Sequence, residues 1–238
     1  MAAVASQDID WQALKVLVFG AGVKEAVFQR WLQPLTFGLK EPVALLQEAG
    51  GPCAVLAPLQ AFLLKQCLEA KVADTGSLSS ASVTRLLVGA MCDILAQCSS
   101  QGSFVVARVS QEVAQIIQVG VILRHHITIS QYILTYHLYF QDTAEQSSSK
   151  RARHTSGDDS ASGSSLVDID TFHTFLTIQT FNCVKLLGNY LEDHFSDIFG
   201  TKYDIVSFLY SVVLTKGPDN VASERQDIDE SLIGNVIT

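Results

Sequence analysis

The sequence predicts an α+β fold with helices in the majority, and three observations carry that expectation. Residues 53–70 and 80–97 hold apolar side chains at three- and four-residue spacing, the repeat of a helix buried along one face. Phe104-Val105-Val106-Ala107-Arg108-Val109 is dense in β-branched residues, which suit a pleated backbone. Of 238 residues, 48% are hydrophobic and 17% charged, enough apolar surface for a substantial core rather than global disorder.

In chain order, residues 9–19 and 23–32 read as short helices on either side of Gly20-Ala21-Gly22. Asp10 is a cap for the first, and Leu14, Leu17 and Val18 follow helical spacing. The glycine pair reads as a helix–helix turn; a dinucleotide fingerprint needs a third glycine and a preceding strand. In residues 53–70 the stripe is Leu56, Leu59, Leu63, Leu64 and Cys67. Pro58 removes one backbone donor and is expected to bend or loosen the helix start. Ser79 or Ser80 caps residues 80–97, whose buried stripe is Val83, Leu86, Leu87, Ala90 and Ile94.

After the strand at 104–109, residues 121–129 alternate in part as a strand does, and 130–141 fit helix or strand equally. Ser, Gly, Asp and basic residues dominate 142–166, a flexible insertion in a single domain spanning 1–238. Within it, Lys150-Arg151-Ala152-Arg153-His154 reads as a solvated loop patch or a nuclear localisation signal. Residues 167–199 and 203–215 read as helical, with Asp168 or Asp170 as a cap and Gly200 and Gly217 at helix ends.

A net charge of −8 argues against nucleic acid as a partner, because phosphate binding needs a basic surface. It is compatible with a basic protein surface. The five cysteines, at 53, 67, 92, 98 and 183, are odd in number and form no CxxC or Cys/His cluster, so free thiols in a reducing compartment, no metal and no cofactor are expected. Cys67, Cys92, Cys98 and Cys183 sit in apolar company and are expected in the core. Residues 1–10 lack the basic and apolar regions of a secretory signal, and no run approaches the roughly 18 uninterrupted apolar residues of a membrane span. Nucleus or cytoplasm is the expected location, with no membrane partner.

The chemistry is expected at Cys53. Gly50-Gly51-Pro52 delivers it to the start of the long apolar helix, where unpaired first-turn amides favour negative charge and hence a nucleophilic thiolate. Gly50 and Gly51 permit a tight entry and leave room for a substrate backbone. Gln47, six residues earlier, is placed to return an amide N–H to the same spot as an oxyanion donor. The competing expectation is an inert core cysteine, the ordinary fate of a lone thiol beside an apolar helix.

Two longer patterns extend this one. Trp31-Leu32-Gln33-Pro34-Leu35-Thr36-Phe37, then Gln47 and Gly-Gly-Pro-Cys-Ala-Val-Leu-Ala-Pro-Leu-Gln-Ala-Phe-Leu-Leu-Lys (50–65), resemble the active-site segment of the MINDY deubiquitinases. Tyr203-Asp204-Ile205-Val206-Ser207-Phe208-Leu209-Tyr210-Ser211-Val212-Val213-Leu214-Thr215-Lys216-Gly217 resembles a later segment of the same family. The resemblance covers most of residues 10–230 and is weakest near 140–166. It implies a papain-like cysteine protease arrangement, with the nucleophile at a helix N-terminus and the base on a sheet packed against it. The implied reaction is hydrolysis of ubiquitin chains in the lysine linkage that marks proteins for the proteasome, so the implied partners are ubiquitin and polyubiquitin. Cys53 is then the nucleophile, Gln47 the oxyanion residue, and Gly50 and Gly51 line a channel for ubiquitin's Gly-Gly tail.

The family's base is a histidine in an apolar Thr-His-Leu-Thr-like strand, well after the segment that 203–217 resembles. None of His125, His126, His137, His154, His173 and His194 occupies such a motif. The resemblance therefore implies an N-terminal portion of a longer enzyme, incomplete at its C-terminus and with little peptidase activity by itself. Two alternatives follow: a non-catalytic ubiquitin-binding or scaffold fragment, and a helical adaptor in which Cys53 is buried.

Overall fold

A computed structural model of the chain describes residues 9–109, 111–115 and 167–224. The chain divides into two compact units, Met1–Gln111 with Asp168–Thr238, and Glu112–Val167. Every element below belongs to the first. The expectations for 121–129, 130–141 and the insertion 142–166 lie outside the described residues, as do His125, His126, His137 and His154.

Local signals set the first elements. Asp10 accepts a hydrogen bond from Ala13 N at 2.8 Å and starts α1 (Trp11–Phe19), which buries Leu14, Leu17, Val18 and Phe19. Helix α2 (Glu25–Trp31) adds Phe28 and Trp31 to the core. A short antiparallel pair, β1 (Thr36–Phe37) with β2 (Leu45–Leu46), leads to α3 (Cys53–Glu69). Ser79 then caps α4 (Ser80–Cys98) by accepting from Ser82 N at 3.2 Å. Helices α3 and α4 pack together, and Lys65 and Gln66 of α3 both donate to Asp93 Oδ2 of α4, at 2.7 and 2.9 Å.

Pro58 lies inside α3, which continues through it. Two expectations about these helices are corrected. Leu64 is 47% exposed, because the buried stripe turns through Val55, Leu56, Leu59, Leu63 and Cys67 and leaves it on the outer face. In α4 the core includes Val88, Met91 and Leu95, while Leu86 and Ile94 are half-buried. By length and composition α4 is the one described helix apolar enough to cross a membrane, but it packs against α3 and two later helices.

Residues 167–199 do not form the expected helix alone. They divide into α5 (Ile169–Thr174), β4 (Thr177–Phe181), α6 (Val184–Asp193) and α7 (Phe195–Ile198). Asp168 caps α5, accepting from Thr171 N at 2.7 Å. β4 pairs antiparallel with β3 (Phe104–Arg108), in register from Phe104↔Phe181 to Arg108↔Thr177. Thr177-Ile178-Gln179-Thr180-Phe181 carries three β-branched residues, a signal that favours the strand once a partner edge is available.

The other edge of β3 is closed by a helix. α8 (Asp204–Lys216) presents Ser211 and Thr215, four residues apart, to Ala107 and Val105, two apart. About 6 Å of helix rise meets about 6.6 Å of strand rise, so the two repeats coincide. Ser211 Oγ accepts from Ala107 N at 2.9 Å and donates to Ser207 O, also at 2.9 Å. Thr215 Oγ1 accepts from Val105 N at 2.9 Å and donates to Val105 O at 3.3 Å. Removing the hydroxyl in Ser211→Ala strands the Ala107 N–H and is expected to cost about 1–3 kcal/mol in urea unfolding. A loss below about 0.5 kcal/mol, the scatter of an ordinary surface change, would mean the hydroxyl does not close this edge.

An aromatic cluster ties α1, α2, α5 and α8. Phe19 meets Phe28 edge-on at 5.5 Å, and Phe172 lies 5.8 Å from Tyr203 and 5.7 Å from Tyr210. After Gly217, at φ 90°, the described chain ends in α9 (Pro218–Glu224).

Candidate active site

The glycine–proline turn brings Cys53 to the first position of α3, as its spacing predicts. Pro52 is the N-cap residue, and its carbonyl accepts from Val55 N at 2.9 Å and Leu56 N at 3.0 Å. The Cys53 side chain is exposed, which removes the adaptor alternative with a buried thiol. Its Sγ–H points back to the Gly51 carbonyl at 3.8 Å.

The two glycines do different things. Gly51 sits at φ 138°, where L side chains are rare, and a Cβ there would stand 3.1 Å from Trp31 Nε1. Trp31 is 2% exposed and forms the floor beneath the turn. Gly50 is exposed, and a Cβ there would meet nothing within 4 Å, so this side of the turn is open.

Gln47 is also exposed, on the same turn. Its Nε2 donates to Ala49 O at 2.9 Å and makes no hydrogen bond to Cys53. The structure therefore places Gln47, Gly50, Gly51 and Cys53 on one turn without joining amide to thiol.

A residue that the sequence does not single out organises this turn. Gln33, just beyond α2, is 4% exposed. Its Oε1 accepts from Glu48 N at 2.8 Å and Ala49 N at 3.0 Å. Its Nε2 donates to Ala49 O at 3.0 Å and to Arg30 O. The trace in the sequence is one amide set among apolar residues in Trp31-Leu32-Gln33-Pro34-Leu35; nothing local says that its partners come 15 and 16 positions later.

The two segments that carry the family resemblance meet here. Asp204, the first residue of α8 and 1% exposed, accepts from Leu35 N at 3.1 Å, Gly200 N at 2.9 Å, Thr201 N at 3.0 Å and Thr201 Oγ1 at 2.9 Å. Burial pushes its carboxyl up, against the pull of these donors. Ile205 N donates to Gln33 O at 3.4 Å, so the start of α8 holds the backbone on which Gln33 stands.

The other cysteines divide. Cys67 and Cys92 are buried and Cys98 half-buried, and burial pushes all three thiols up, Cys92 to about 11. Cys183 is not in the core: it is exposed at the N-cap of α6. There the first-turn amides of Leu186 and Lys185 pull its thiol down. A cap residue stands outside the helix barrel, so its apolar neighbours in sequence do not carry it inward.

Neither described histidine bonds the thiol. His173 Nε2 is 2.7 Å from Tyr210 Oη, and its ring stacks on Trp11 at 5.4 Å. His194 Nδ1 is 3.1 Å from Tyr190 O and stacks on the Tyr190 ring. Among the described residues no three His, Cys, Asp or Glu side chains are grouped to hold a metal ion.

Residues 15–237 match the family described as deubiquitinating enzyme MINDY-3/4, conserved domain. Three curated relatives illustrate the similarity. A Homo sapiens protein named ubiquitin carboxyl-terminal hydrolase MINDY-3 is 31% identical over 235 residues, 94% of this chain and 46% of that protein. Its Mus musculus namesake is 30% identical over 222 residues, 90% and 43% respectively. A MINDY-3 homolog of Drosophila melanogaster is 28% identical over 256 residues, 92% and 40%. The chain spans about half the length of the curated relatives it matches. No solved structure matches significantly.

Proposed function

The chain belongs to the MINDY-3/4 deubiquitinating-enzyme family, and from that premise we propose that it is a cysteine-type deubiquitinase with Cys53 as nucleophile. The observation that supports this most is an exposed thiol at the first residue of a 17-residue helix, on a turn whose Gly50 side is open. The Cys53 thiolate attacks the carbonyl carbon of ubiquitin's C-terminal glycine. The C–N bond breaks as the lysine amine gains the proton that the thiol gave up, and water hydrolyses the resulting thioester. The amide dipoles of α3 favour the negative charge that develops at the reacting carbonyl. Gln47 keeps a second Nε2–H beyond the one given to Ala49, and that donor is its contribution to the oxyanion site. Gly50 and Gly51 receive the Gly-Gly tail.

The names of the relatives support ubiquitin as the substrate. The proteasome-targeting linkage and polyubiquitin as partner rest on that resemblance, and the nuclear or cytoplasmic location on five unclustered cysteines that read as free thiols of a reducing compartment. A non-catalytic ubiquitin-binding or scaffold role is the second reading; the absence of a bond from either described histidine to Cys53 favours it.

Treatment with ubiquitin bearing a C-terminal electrophile, followed by peptide mapping, separates the two. A covalent adduct at Cys53 is expected. Ubiquitin binding without an adduct supports the second reading, and an adduct at another cysteine removes Cys53 from the mechanism.

A further inference from the structure

We propose that Gln33 is the positioning residue of the thiol turn: its buried side-chain amide sets where Gln47 and Cys53 stand. The inference rests on the reading of Cys53 as the nucleophile. Gln33 and Ala49 form a reciprocal amide pair, with Ala49 N to Oε1 and Nε2 to Ala49 O both at 3.0 Å, as two paired backbones would. Glu48 N and Arg30 O take up the remaining acceptor and donor, so the whole hydrogen-bonding capacity of the side chain is used and its orientation is single. Burial removes water as a competitor for these bonds.

The turn has little else to hold it. Across Gln47–Gly51, the hydrogen bonds that reach another part of the described structure are the three to Gln33. The Gln47–Ala49 and Gly51–Cys53 contacts are local. Gln33 is itself anchored on two sides, by α2 through Arg30 O and by α8 through Ile205 N. Its effect on Gln47 is direct, because both Nε2 groups donate to the one Ala49 carbonyl. Its effect on Cys53 runs through Gly50-Gly51-Pro52, where the Gly51–Trp31 contact limits the slack.

The test compares wild type with Gln33→Leu and Gln33→Glu. Three quantities are read: the reaction of Cys53 with the ubiquitin electrophile, split into maximal rate and half-saturation; iodoacetamide labelling of Cys53 relative to Cys183; and amide hydrogen exchange across 47–53. Gln33→Leu is expected to lower the maximal rate by about 10²-fold, the scale of an ångström's misplacement. Half-saturation should stay within about twofold, as when ground-state binding is kept. Exchange at Glu48 and Ala49 should rise and the labelling ratio change, with Cys183 itself unmoved.

Gln33→Glu carries its own signature. Ionised, its carboxylate faces the carbonyls of Ala49 and Arg30; protonated, it is a near-isostere of glutamine. Its exchange pattern and its rate relative to wild type are therefore expected to recover as pH falls, and this variant decides the matter if Gln33→Leu does not fold. Wild-type rate, labelling ratio and exchange in Gln33→Leu, or no pH recovery in Gln33→Glu, would overturn the proposal. If wild type fails to react with the ubiquitin electrophile while labelling and exchange still shift in the variants, the deubiquitinase reading falls and the positioning role stands.

Discussion

Replacing Cys53 with alanine is expected to lower hydrolysis of a ubiquitin C-terminal fluorogenic amide by about 10⁴-fold or more, the scale seen when a hydrolase loses its nucleophile. The measurement applies to this chain or to a version extended to the length of its relatives, whichever turns over. Folding stability should move by no more than about 0.5 kcal/mol, because the side chain is exposed and its hydrogen bond among the described residues is the long Sγ–H bond to Gly51. Gln47→Ala, which also gives up only a local bond, is expected to cost about 10²–10³-fold in turnover, the value of one oxyanion donor. Retained hydrolysis in Cys53→Ala would refute the nucleophile assignment, and unchanged turnover in Gln47→Ala would remove that residue from the oxyanion site. Together the pair separates covalent chemistry from electrostatic help at one turn.

Acid should destabilise the fold through His173. The ring is 8% exposed, and burial pulls its pKa down from 6.5 to about 4; the nearby Lys15 adds to that pull, and Asp170 opposes it. The folded state thus favours the neutral ring. Its contribution is complete above the unfolded value of 6.5 and is lost as pH falls towards about 4. Roughly 2 kcal/mol is expected to go by about pH 4.5, after allowance for partial solvent screening. Protonation also disturbs the partner, since the Tyr210 hydroxyl sits 2.7 Å from Nε2 in the middle of the aromatic cluster. Urea unfolding at about pH 7.5 and about pH 4.5 should show wild type losing more than His173→Gln by that amount. Identical pH dependence in the two would assign acid unfolding to other groups.

Neighbouring residues settle the local features of this chain. The extents of α3 and α4, the caps at Asp10, Ser79 and Asp168, and the placement of Cys53 at a helix start all follow from side chains within a few positions of one another. Packing between distant segments settles the rest. β4 replaced an expected helix because a strand's hydrogen bonds are completed by a partner about 70 residues away, and the edge of β3 lies that far along the chain. Leu64 faced outward and Cys183 capped a helix because burial depends on which side a neighbour covers, which periodicity alone leaves undetermined. The clearest case is the site itself. The position of Cys53 is local, but the bonds that hold its turn come from Gln33, and those that hold Gln33's segment come from Asp204 and Ile205. Polar side chains such as Gln33 and Asp204 are read as surface in a sequence, because part of what satisfies them lies far along the chain. Folding supplies partners from distant segments, and only satisfied groups can be buried without a large desolvation cost.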